Sequence, residues 1–192
     1  MYAILSGLIA AASLATASPI FLNTREDGSC SDVSFKGLEW TVEDFDYHAS
    51  YIFTTPAHQN SWGYVNFNLS NPAFPYLASC SATSNQLSDF FYGTMWYNCT
   101  LPEEAPYGGE ATFAFSRPSG KLDINQTWTC DDPDPQYPIT FHAAGTVNLT
   151  LECTDTTWQN PNWTIGQIYS DREVKCAPVT VPVKPYEMTA VA

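Results

Sequence analysis

The sequence predicts an all-β fold, a compact antiparallel β-barrel or sandwich stapled by disulfides. Three observations predict it. Apolar residues recur with period two in run after run, and no long stretch keeps a period of 3.6. Proline, glycine and amide clusters separate the runs at short intervals. The chain holds six cysteines, an even count with no Cys-x-x-Cys spacing, which suits disulfides better than zinc.

Residues 1–17 form the first segment. Residues 3–17 are uncharged and almost all apolar or small, and Ala15-Thr16-Ala17 fits the small-residue cleavage rule. A signal peptide cleaved before Ser18 is the expectation, and no other stretch is apolar enough to span a membrane. Residues 18–178 form a single secreted domain. It opens on a loose lead over 18–29, and strand character begins at Ser31. Leu38, Trp40 and Val42 alternate with Glu39, Thr41 and Glu43. Val65, Phe67 and Leu69 alternate with Tyr64, Asn66, Asn68 and Ser70. These read as an antiparallel pair joined by a long connection that carries Phe45, Tyr47, Tyr51 and Phe53.

Beyond them, 71–79 is a proline-containing loop that leads into Cys80. Residues 87–92 supply the one helical turn expected between Cys80 and Cys99, and Met95, Tyr97 and Cys99 lie on one phase of a strand. Residues 100–110 form an acidic loop. Phe113 and Phe115 share a face, Arg117-Pro-Ser-Gly120 is a turn, and Leu122 and Ile124 return, which makes a hairpin. Residues 131–138 are a rigid acidic loop. Val147, Leu149, Leu151 and Cys153 alternate with Asn148, Thr150 and Glu152. Residues 154–166 read as a loop and 165–176 as strand. Residues 179–192, with prolines at 182 and 185, read as an extended tail.

The charge is strongly acidic: 20 Asp and Glu against 7 Lys and Arg, net −13. That excludes nucleic acid and anionic membranes as expected partners. Five sequons, at Asn68, Asn98, Asn125, Asn148 and Asn162, agree with an extracellular, glycosylated chain. Asn68 and Asn148 fall on the polar phase of their strands and are the expected carriers. Asn98, beside Cys99, is the least favoured.

Trp40-Thr-Val-Glu-Asp-Phe45 after Cys30, Cys80-Ser-Ala with Trp96-Tyr-Asn-Cys99, and Phe113-Ala-Phe-Ser116 with Ser119-Gly-Lys-Leu122 together resemble the fungal family of the major Alternaria allergen, which includes secreted elicitors of plant defence. The resemblance spans residues 30–125. It implies a compact antiparallel β-barrel, secretion, no enzymatic activity and, for some members, action at the host surface. It also implies the central pair Cys80–Cys99. For the other four cysteines the expectation is Cys130–Cys153, between strands taken as neighbours, and then Cys30–Cys176. Because the allergen uses its first cysteine to join two chains, a homodimer linked through Cys30 stands as the alternative to a monomer.

No catalytic grouping is marked. His48, His58 and His142 are scattered, no nucleophile elbow occurs, and nothing selects a pair among Glu43, Asp44 and Asp46. Asp131, Asp132 and Asp134 lack the ligand spacing of a calcium loop. No metal and no cofactor is expected. Trp62, Trp158 and Trp163, set among amides and hydroxyls, are the candidate binding residues. The expected function is that of a non-catalytic secreted protein that binds a host extracellular protein or a cell-wall glycan. The alternatives are a stand-alone carbohydrate-binding module and an enzyme with an unrecognised acidic site.

Overall fold

The computed structural model describes residues 28–192, so the signal segment and its cleavage site lie outside the described residues. One short helix, α1 (Cys30–Phe35), precedes eleven strands. These are β1 (Trp40–Thr55), β2 (His58–Ser70), β3 (Leu77–Ser84), β4 (Tyr97–Thr100), β5 (Glu110–Ser116), β6 (Lys121–Cys130), β7 (Ile139–Asn148), β8 (Cys153–Gln159), β9 (Ser170–Cys176), β10 (Val179–Val183) and β11 (Pro185–Val191). All pairings are antiparallel, in the order β11-β7-β6-β5-β4-β3-β2-β1-β9-β8, with β10 on β1. The sheet curls on itself without closing, as a barrel-like sandwich.

β1 and β2 form the longest hairpin, and the expected connection between them is not a connection. Residues 45–53 continue β1, and only Pro56 and Ala57 separate the strands. The alternation hides this because its phase slips. Trp40 and Val42 face the core, then Phe45, Tyr47, Ala49 and Tyr51 do. Asp44, at φ 53°, is the inserted residue of a β-bulge between Glu43 and Asp46. A bulge puts two residues opposite one, so it flips the phase without breaking the ladder.

The core is aromatic. Phe45 lies 5.6 Å from Phe67 and 5.0 Å from Phe115, and Phe67 meets Phe113 edge-on at 5.0 Å. Residues 85–96, where a helical turn is expected, form an irregular plug. It buries Phe90 against Tyr51 and Phe91 against Tyr47 and Phe115. β4 begins only at Tyr97.

α1 replaces the strand character expected from Ser31. Ser29 caps it, and three contacts tie it to β6 and the loop beyond. Trp128 donates its indole N–H to Ser34 Oγ at 2.9 Å, Ser31 donates to the Asp132 carboxylate, and Cys30 bonds Cys130.

The disulfides are Cys30–Cys130, Cys80–Cys99 and Cys153–Cys176. The central pair is as the resemblance implies, but the other two expected pairings do not form. β6 and β7 are neighbours, yet Cys153 lies on β8, at the opposite end of the sheet, directly across from Cys176 on β9. Cys30 is carried to Cys130 by the packing of α1, which leaves its sulfur occupied within the chain. The C-terminal stretch is extended as expected, but it is hydrogen-bonded. β10 lies along the first half of β1 and β11 along β7. At this corner Gly145 of β7 admits Trp40: a Cβ there would sit 2.8 Å from the indole.

Candidate binding face

Residues directly across an antiparallel ladder share a face. The outward residues of β1 are His48, Ser50 and Ile52, whose neighbours 47, 49 and 51 are buried. Register places Tyr64 and Lys175 beside His48, Trp62 and Glu173 beside Ser50, and Asn60 and Asp171 beside Ile52. Trp158 follows Asp171 on β8. Trp62 and Trp158 therefore stand on one outer face, three strands and one row apart, or about 16 Å from strand spacing and rise. Both are exposed. Sequence reasoning put Trp158 in a loop. It is on edge strand β8, which is exposed along most of its length and so carries no burial alternation to read.

Trp62 also lines a hollow of about 370 Å³ with Thr83, Asn85, Gln86, Met95 and Tyr97. Next to it the His48 ring stacks on Tyr64 with centroids 4.8 Å apart, and its Nδ1 is 2.8 Å from Asp46. Toward Trp158, Lys175 pairs with Glu173, and the buried Asp171 Oδ1 has no hydrogen-bond partner among the described residues. The face thus presents indoles, amides and hydroxyls. Side chains of these types can stack on and hydrogen-bond to a ligand.

Trp163 is not part of this face. Its indole donates to Gln167 O at 2.9 Å and packs edge-on against Tyr169, which closes the loop between β8 and β9.

On the inner side of the same strands, Arg117 lies 5.0 Å over the Tyr47 ring and Arg172 lies 4.9 Å over Tyr51. Burial pushes the Tyr47 phenol up to about 12, and the neighbouring Tyr51 adds to the rise, against the pull of Arg117. Asp155 is held below the usual carboxylate range by its hydrogen bonds from Arg172. These groups brace the fold.

The other sequence candidates are dispersed. His58 bonds Thr54 at the β1–β2 turn and His142 bonds Thr127 on β6. Among the described residues the one metal-like grouping is Cys30, Cys130 and Asp132, and its two sulfurs are already bonded to each other. Although burial opposes it, hydrogen bonds from Ser31 and Ser29 hold the Asp132 carboxyl low, so Asp132 serves the helix cap. Asn98, Asn125, Asn148 and Asn162 are exposed, and Asn68 is half-buried between Glu43 and Ser79.

An all-β domain pinned by three internal disulfides, with an aromatic outer face and an acidic surface, defines a disulfide-stapled β protein. The family model described as Alternaria alternata allergen 1 matches residues 42–176, and the chain belongs to that family. No curated protein and no solved structure matches it.

Proposed function

We propose that the protein is a secreted, non-catalytic binding protein whose outer face between Trp62 and Trp158 engages a cell-wall glycan. The single observation that carries this is the register itself, which brings two exposed indoles, distant in sequence, to one face with the Trp62 hollow at one end. Flat aromatic faces among amides and hydroxyls suit the apolar faces and hydroxyl rims of sugar rings. A spacing of about 16 Å suits an oligomeric ligand better than a single sugar.

Secretion is supported by three disulfides, a bond type that persists in oxidising compartments, and by exposed sequon asparagines. The non-catalytic reading is supported by the carboxylates around the face. Asp46 is engaged by His48 and Glu173 by Lys175, and Oδ1 of the third, Asp171, is buried. The first two are held in internal pairs instead of facing another carboxylate across a cleft.

Sedimentation with insoluble cell-wall polysaccharides tests the proposal. Trp62→Ala and Trp158→Ala should each weaken retention about fivefold to thirtyfold, the loss of one aromatic contact of 1–2 kcal/mol, while Trp163→Phe leaves it unchanged. Retention unaffected by either alanine would overturn the reading. Retention of a host extracellular protein that depends on Trp62 and Trp158, with no polysaccharide bound, would move the face to a protein partner.

A further inference from the structure

A second concavity lies at the other end of β1 and β2. It has a volume of about 740 Å³ and runs from the end of α1, past the outward side chains of early β1, to the loop between β2 and β3. Its floor is set by register, with Thr41 across from Ser70 and Glu43 across from Asn68. Its far wall is Phe74 and Tyr76, whose rings stack at 5.0 Å and 23°. The wall is preformed. Asn71 is buried, donates to Gln126 Oε1 at 2.9 Å and accepts from the Ala73 N–H, while Phe74 N–H bonds Asn71 O.

The charge in this cleft is unbalanced. Glu39 and Glu43 line it and Lys36 is its one cation. Neither glutamate is in an ion pair among the described residues. A further carboxylate, Glu104, lies close enough to Tyr76 to help burial raise its phenol pKa. Unpaired carboxylates facing a stacked aromatic pair match a guanidinium or ammonium on an apolar stem, which pairs at its head and packs along its length. The volume exceeds what a single amine would fill and falls in the range of well-formed ligand clefts.

We propose that this cleft docks a basic peptide segment of a partner protein, with an arginine or lysine side chain between Glu39 and Glu43 and over the Phe74–Tyr76 pair. The site is separate from the Trp62–Trp158 face and stands or falls independently of it. Its complement is a cationic extracellular protein, the natural counterpart of a chain of net charge −13.

A capped pentapeptide of alternating arginine and glycine, titrated calorimetrically into the full secreted chain, tests this. Glu39→Gln with Glu43→Gln should weaken binding about tenfold or more, since it removes charge-assisted bonds while keeping side-chain shape. Glu103→Gln with Glu110→Gln removes the same charge from exposed positions outside the cleft and should leave affinity within about twofold. Equal losses in both double variants would show diffuse attraction and overturn the site. Absence of peptide binding to the unaltered chain would do the same. Free spermidine bound as tightly, with the same dependence on Glu39 and Glu43, would overturn the assignment to a peptide.

Discussion

Gly63 lies under the Phe90 ring. A Cβ at that position would meet Phe90 Cγ at 2.6 Å, far inside contact distance. Phe90 is fully buried and is held at φ 66° by the plug, so it has little room to retreat. Gly63→Ala is expected to cost about 1–3 kcal/mol, the range of an overpacked core, read as a lower midpoint in denaturant. Tyr47 makes a different prediction. Its folded pKa of about 12 lies above the ordinary tyrosine value of 10.0, so between these values the unfolded chain releases a proton that the folded chain keeps. Stability is full below pH 10 and falls as pH rises toward 12. Tyr51, Tyr76 and Tyr97 are shifted in the same direction by burial. Tyr47→Phe should flatten the upper part of that decline in alkaline denaturation curves, and an unchanged slope would contradict the assignment.

α1 has six residues, too few to stand alone in water. Its place depends on Trp128, Asp132 and the Cys30–Cys130 bridge, which closes a separation of 100 residues. In the chain-entropy model such a loop contributes about 4–5 kcal/mol. Cys30→Ser with Cys130→Ser should therefore lower the melting temperature sharply while the chain still migrates as a monomer without reductant. A disulfide-linked dimer in the unaltered protein would contradict the intrachain bridge. The same element marks the limit of what its residues announce. The hairpin β5–β6 and the second half of β2 were legible because each buries one face, so alternation records their environment. The strand expected across Val147 to Cys153 is instead split, its start ending β7, its last residue opening β8, and 149–152 lying in neither. α1 is too short for a period, and only its cap, Ser29 before Asp32, signals a helix start. β8 buries neither face, and the bulge at Asp44 reversed the phase that would have revealed the length of β1. The disulfides between distant elements follow from how those elements pack, which local pattern does not carry.

The pairing of Trp62 with Trp158 belongs to the whole molecule for the same reason. Each indole is ordinary in its own strand, and only the order β2-β1-β9-β8 makes them neighbours on a face. The tryptophans were legible as candidates by residue type. Their grouping and the exclusion of Trp163 were not, because register is a long-range property. The aromatic cleft beside α1 lay equally out of reach. The fold ends on β10 and β11, beyond the last residue of the family match at 176. These strands run along β1 and β7 like the final course of a seam. Trimming the chain after Cys176 would spare every disulfide and most of the core. It would also move the open edge of the sheet from the short β11 to the longer β7 and uncover the first part of β1, rows of backbone amides and carbonyls long enough to template one another. The shortened protein is expected to be oxidised, largely folded and sticky, with light scattering that rises with concentration where the full chain stays clear.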